Sequence, residues 1–453
     1  MSDKAGAAMT DPGPDEESAF ARDLMWRVGW RCVPLLVIAY VIAYIDRVNI
    51  GFAAITATKD LGMSPSVFGF GAGLFFLAYL IFETPSNYLM ERIGARVWLG
   101  RIMVSCGIVA GAMMFVSSVP AFYAVRFVLG AVEAGLFPGV MLYLTYWFPK
   151  RYRARYVSMF AIGIPLASVI GAPVSGLLLG LDGALGFKGW QWLYMLEAIP
   201  ALLLGVLIWI YLSDSPDEAS WLKADERDWI RRSLARERAQ NADDGPKMSL
   251  LQSLRLLLDP RVIVLSVVFF GTGVPSYGLA LWLPQIVKGF GLTNAETGFI
   301  TAIPFLCGAI AMVYWARHSD AHRERTWHTA IAGIVAAVGM VACYWLTSPV
   351  AAIAALSLSA VGTFAIKGPF LSGISESFSD KTAAVGIAMV VSIGNLSGFA
   401  APWMIGVIRQ ATGSFPPALL AVGVCAFIGG VAIFLQPRFG SPLRRAQLQE
   451  DRT

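Results

Sequence analysis

The chain has 453 residues, of which 57% are hydrophobic and only 14% charged, and its mean hydropathy is +0.63. That balance excludes an ordinary soluble domain, and the absence of ten-residue alternating strands excludes an outer-membrane barrel. The net charge of +5 is spread over loops rather than gathered in one patch, so no nucleic-acid partner is expected.

A membrane-spanning helix takes about 20 mostly apolar residues, and twelve such stretches can be read in chain order. Residues 1–25 come first; polar, Pro-containing and partly acidic, they lack the basic start and cleavage site of a signal peptide and read as a disordered cytoplasmic tail. Six spans follow at 31–52, 66–88, 97–117, 120–147, 156–180 and 191–213, forming an N-terminal half over 26–213. A polar insert, 214–258, reads as a cytoplasmic linker. In it Trp221, Leu222, Trp229, Ile230 and Leu234 recur at helical spacing, and Leu250, Leu251, Leu254, Leu257 and Leu258 form a second apolar stripe. Both read as amphipathic surface helices. Six further spans at 260–284, 295–316, 327–346, 350–377, 383–409 and 415–436 form a C-terminal half over 259–437, with a cytoplasmic tail at 438–453. The expected fold is an all-α membrane protein of twelve helices in two six-helix halves.

Lys and Arg in short loops set orientation. Arg92, Arg96, Lys150, Arg151, Arg153, Arg155, Arg317, Arg323, Arg325 and Lys381 fall on one side, against Lys59, Lys188, Lys288 and Arg409 on the other. Both termini are therefore expected in the cytoplasm. The five cysteines lie in or beside apolar segments without CxxC spacing, so neither a disulfide framework nor a metal site is indicated.

A constant shift of 229 residues superposes landmarks of the two halves. Gly62, Ser64, Gly69, Phe70, Glu91, Arg96, Ala172 and Pro173 fall on Gly291, Thr293, Gly298, Phe299, Asp320, Arg325, Ala401 and Pro402. An internal duplication follows, and such repeats commonly enclose a central substrate site.

Ionisable groups at membrane depth cost about 2.5–3.5 kcal/mol on insertion scales and mark ion or substrate paths. Asp46 and Arg47 in the first span, and Arg126 and Glu133 in the fourth, are such groups. Their counterparts under the shift are Pro275, Ser276, Ala355 and Gly362, so coupling chemistry is expected in the first half alone. Arg47 is the first candidate for a substrate anion, because a guanidinium holds a carboxylate through two parallel hydrogen bonds. Asp46 and Glu133 are candidate proton carriers, since desolvation and neighbouring cations move a carboxyl pKa in opposite directions. The competing reading of all four is a fixed set of structural pairs locking helices one and four; Arg126 is open between substrate contact and partner of Glu133. Tyr44 and Tyr79 offer hydroxyls at cavity depth or ordinary packing. Asn395 needs a polar partner inside the membrane, from substrate or a neighbouring helix. Lys367, before Gly368-Pro369, would hold a second anionic group or snorkel to water.

The loop Asn87 to Arg96 resembles the signature between helices two and three of the major facilitator superfamily, and Ala316 to Arg325 its second copy. Asp46-Arg47-Val48-Asn49-Ile50-Gly51, Arg126-Phe127-Val128-Leu129-Gly130, Glu133-Ala134-Gly135, Tyr146-Trp147-Phe148-Pro149 and Gly394-Asn395-Leu396 are similar to the anion:cation symporter family within it, closest to bacterial tartrate-type and hydroxyphenylacetate-type members. The resemblance implies uptake of a small carboxylate (tartrate, sugar acid or aromatic acid class) with protons, by alternating access, across a bacterial inner membrane, by a monomer in the bilayer. It also casts Glu91, Arg92, Arg96, Asp320 and Arg325 as a breakable cytoplasmic latch. Leu371 stands where the family pattern has Trp.

The alternatives are a proton-driven exporter of drugs or metabolites, against which Arg47, Arg126 and Lys367 weigh, and a membrane receptor or enzyme. With neither a P-loop nor an HExxH motif, an enzyme is not expected, and neither is a cofactor. Sodium coupling is a further open alternative to protons.

Overall fold

The computed structural model describes residues 19–241, 256–378 and 380–439. Among the described residues, eleven helices are long and apolar enough to cross a membrane, and Thr326–Ala342 is a shorter apolar one. They are named α1 (Ala19–Asp60), α2 (Pro65–Ile93), α3 (Ala95–Phe115), α4 (Val119–Trp147), α5 (Lys150–Leu181), α6 (Gly189–Tyr211), α7 (Pro260–Lys288), α8 (Asn294–His322), α9 (Thr326–Ala342), α10 (Pro349–Ser377), α11 (Val385–Thr412) and α12 (Pro416–Gln436). The twelve-helix architecture expected from the sequence is the one found. Because successive spans alternate in direction, the start of α1, the linker and the end of α12 share one face, called here the terminal face. The opposite one is the distal face.

The first helix starts earlier than expected. Residues 19–25, expected in the tail, are helical, and Ala21, Leu24 and Met25 are buried; charges at Arg22 and Asp23 mask this apolar face in a hydropathy window. The linker contributes one described helix, Ala224–Asn241, with Ile230 buried. Ion pairs Arg27–Glu226 at 2.5 Å and Arg153–Glu237 at 2.9 Å tie it to α1 and α5, and Trp221 stacks on Trp147 with ring centroids 5.6 Å apart. This helix belongs mechanically to the first half. Of the second leucine stripe, Leu250, Leu251 and Leu254 lie outside the described residues. Leu257 and Leu258 are 38% and 77% exposed in a turn before α7, so they cover no part of the bundle.

The duplication holds in geometry. Gly62 and Gly291 both adopt positive φ, 61° and 84°, where a Cβ would be strained. Two residues later, Ser64 and Thr293 both cap a helix start, each accepting from the backbone N–H three residues on. Gly69 lies against the backbone of Pro402, and Gly298 against that of Ala172 and Pro173; under the 229 shift these two cross-half contacts are one contact made twice.

Both seams lie toward the distal face. So do Gly51 against Leu281, Gly73 against Phe399 and Gly406 against Pro65, and the hydrogen bonds Ser66–Gln410 and Asn294–Leu179. Small residues let backbones approach where lipid offers no hydrophobic drive for helix association. No ion pair between described residues joins the halves at the terminal face. The conformer is closed distally.

Candidate functional site

Helix interruptions position the buried charges. In α1 the regular helix runs to Val48, passes through Asn49 and resumes at Ile50, immediately after Asp46-Arg47. In α4 it stops at Glu133; Ala134 leaves helical geometry and Gly135 takes a left-handed φ of 93°, a position where a Cβ would also collide with Ser86. At Ile366 in α10 and Leu396 in α11, beside Lys367 and Asn395, one residue separates two helical runs while its backbone keeps helical φ and ψ. Irregular backbone at membrane depth is tolerated where it lines a cavity or is packed in protein.

The structure brings Arg47 and Glu133 together. Arg47 Nε donates to Glu133 Oε1 at 3.1 Å, and Nη2 donates to the same oxygen. The guanidinium carbon lies 5.5, 5.2 and 5.0 Å from the ring centres of Tyr44, Phe75 and Tyr79, an aromatic cage that fixes the cation. Of the alternatives for Arg126, pairing with Glu133 is not what this conformer shows. Arg126 Nη2 donates to the carbonyl of Ala72 at 3.3 Å, while its Nε and Nη1 are buried with no partner. Its guanidinium carbon is 5.0 Å from the Phe75 ring centre, so Phe75 stands between the two arginines.

These groups are almost dry. Arg126 is 0%, Glu133 1%, Asp46 1% and Arg47 9% exposed. Burying a charge or an unpartnered polar atom costs several kcal/mol unless a partner compensates, yet both Asp46 oxygens, Glu133 Oε2 and two Arg126 nitrogens have none among the described residues. A site with acceptors and donors both left open is arranged for species that come and go.

Sequence reasoning missed a second polar knot. Glu197 of α6 is buried and accepts from Asn49 Nδ2 and Ser175 Oγ, both at 2.7 Å. It ties α1, α5 and α6 just beyond Asp46. Three single polar residues on three helices carry no spacing signal; only the Asp46-Arg47-Val48-Asn49 run hinted at Asn49.

Lys367 and Asn395 stand apart from this centre. Lys367 Nζ lies 4.7 Å from the Phe364 ring centre, and Asn395 is the half-buried last residue of the helix Asp380–Asn395. No hydrogen bond or ion pair among the described residues joins either to Arg47 or Glu133. At the terminal face, Arg325 bonds Asp320 at 2.6 Å and Glu376 at 3.3 Å, linking α8, α9 and α10. The first copy differs: Arg96 meets Asp214 beyond α6, its backbone N–H donating at 2.7 Å, Arg92 lies over Tyr88, and Glu91 is exposed. Both networks lie within one half.

A family model described as Major Facilitator Superfamily matches residues 36–402. A protein of Agrobacterium vitis named "Putative tartrate transporter" is 45% identical over 412 residues, covering 91% of this chain and 94% of that protein. A quinolone resistance transporter of Acinetobacter baumannii is 35% identical, with 92% and 95% covered. Among solved structures, an inward-facing, unoccupied bacterial homologue of the human lysosomal transporter Spinster superposes with a TM-score of 0.73 at 16% identity, covering 93% of this chain and 98% of that one; the likeness is one of fold. With a family match over that much of its length and a 45% identical relative covering nine tenths of it, the chain belongs to the Major Facilitator Superfamily of multi-pass membrane transporters.

Proposed function

We propose that this protein takes up a small organic carboxylate together with protons across a bacterial cytoplasmic membrane, its termini in the cytoplasm, by alternating access. The observation that carries the reading is Arg126, wholly buried with two donor nitrogens open, 5.0 Å from the ring that Arg47 also faces. Two guanidiniums around one aromatic ring fit a carboxylate substrate. The tartrate name of the 45% identical relative supports the same class, and tartrate is the first compound to test.

Coupling follows from competition for Arg47. In the distally closed conformer, Glu133 is the anion on Arg47. A substrate carboxylate that takes Arg47 leaves Glu133 buried without a cation, and a proton is the least costly replacement. Proton and substrate therefore bind together, and linkage makes the effect reciprocal. Asp46, buried with no partner, is the second proton site. Tyr44 and Tyr79 orient the bound anion, and Asn395 and Lys367 complete the cavity from the other half when it closes.

Radiolabelled carboxylates offered to proteoliposomes at two pH values test this. Accumulation of tartrate or a near relative driven by an inward proton gradient is expected; sodium-driven accumulation indifferent to pH would overturn the proton assignment. The quinolone resistance relative favours a second reading, proton-driven export, which the same vesicles read as substrate extrusion.

A further inference from the structure

A cavity of about 270 Å³ opens at the distal face between the two halves, and neither Arg47 nor Glu133 lines it. Thr58, Met63 and Phe68 of the first half face Trp282, Gln285, Lys288 and Arg409 of the second, and no carboxylate lines it. The cations are held in place but not neutralised. Arg409 is 4.1 Å from the Phe415 ring centre and 5.6 Å from that of Trp282, and its Nη1 donates to Gln285 Oε1 at 2.8 Å. Lys288 Nζ donates to the carbonyl of Leu292 at 2.7 Å, which leaves two of its three N–H bonds. Gln285 Nε2 is buried with no partner. Glu296 is the acid near Lys288, and its carboxylate is taken up by Thr293 in the helix cap.

We propose that this cavity is a distal anchoring site for a small organic carboxylate, separate from the central one and occupied before the seam between the halves opens. It rests on the organic-anion reading above. A planar guanidinium oriented by an amide and two rings presents its remaining donors as a fork; the ammonium supplies the rest of a carboxylate's hydrogen bonds. Because Thr58 and Met63 belong to one half and Lys288 and Arg409 to the other, the cavity widens when the distal seam parts, which makes the anchored anion the first to reach the central arginines. The positive charge of Lys288 and Arg409 also raises the local concentration of the anion at the mouth.

Full-length protein in detergent, titrated with tartrate while tryptophan fluorescence is followed, tests the site without transport, since Trp282 lines it. A change is expected in the wild type and in Arg47→Gln, and not in Lys288→Gln/Arg409→Gln; Trp282→Phe should abolish it with the cations intact. In proteoliposomes the double variant should raise the KM for entry from the distal face about tenfold, the loss of roughly one charge-assisted hydrogen bond, and leave the KM from the terminal face unchanged. A fluorescence response that survives the double variant, or a KM that rises equally from both faces, overturns the proposal. A response present in a protein that transports no carboxylate would leave this site standing and remove the proposed function instead.

Discussion

Two nitrogens of Arg47 converge on a single oxygen of Glu133, and the second oxygen, Oε2, is buried without a partner. The pair is thus half-satisfied. A fully bidentate pair would be a lock; this one leaves the carboxyl a place for a proton and the guanidinium a donor for a competing anion.

Glu133→Gln should separate coupling from movement of substrate. Uptake driven by a proton gradient is expected to fall to background, while exchange of internal for external substrate persists, because the amide keeps the shape but no longer exchanges the proton. Paired counterflow and gradient-driven uptake assays check it; full gradient-driven accumulation by the variant would defeat the assignment.

Arg47→Lys tests shape against charge. The ammonium keeps the positive charge but loses the planar fork, and a charge-assisted hydrogen bond is worth about 1.5–3 kcal/mol. A rise in KM of roughly tenfold to a hundredfold follows. An unchanged KM would mean that Arg47 is only a structural partner of Glu133.

Asn49→Ala should act on stability. It removes the donor to Glu197 Oε2 and leaves a buried acceptor unpaired, which costs about 1–3 kcal/mol. The thermal midpoint of detergent-solubilised protein should fall, and Ser175→Ala should do the same through Oε1.

Gly69→Val should shift the conformational balance. A Cβ there would overlap the Pro402 backbone, which penalises distal closure alone. Labelling of a cysteine placed at Thr58, in the distal cavity wall, should become faster from the distal side than in the Thr58→Cys parent.

The linker clamp should loosen in acid. Burial alone would lift the Glu226 carboxyl, but the hydrogen bond from Arg27 and the Lys223 backbone N–H outweigh it and hold the group below the usual range. A depressed folded value means that the pairing stabilises fully above the ordinary glutamate range, near 4.3, and is lost as pH falls through the lower, folded value. Proteolysis of the linker should therefore accelerate below about pH 4, and Arg27→Ala should accelerate it already at neutral pH.

Much of this was legible in the chain. Twelve spans follow from hydropathy because each helix must satisfy its own backbone in lipid, and the 229-residue shift located glycines and caps that recur as matching φ values and N-caps. The four charges were legible as a site because apolar surroundings make any charge conspicuous. Their pairing was not: Arg47 and Glu133 lie 86 residues apart, and whether Glu133 meets Arg47 depends on how α1 packs against α4. Glu197 is hidden for the same reason, since its partners sit on two other helices. The early start of α1 was hidden because Arg22, Asp23 and Arg27 share its first turns with buried Leu24 and Met25.

The paired glycine seams also bear on leakage. At Gly69 on Pro402 and Gly298 on Ala172, main chain lies directly against main chain, and the polar side chains nearby, Ser66 with Gln410 and Asn294 with the Leu179 carbonyl, are engaged with each other across the same closure. A proton crosses a protein along a file of waters or titratable groups, and a contact this close admits neither. Under the coupling proposed above, the seams would insulate as well as close: a proton carried by Glu133 would leave by the terminal face, and the gradient would not be shorted through the protein.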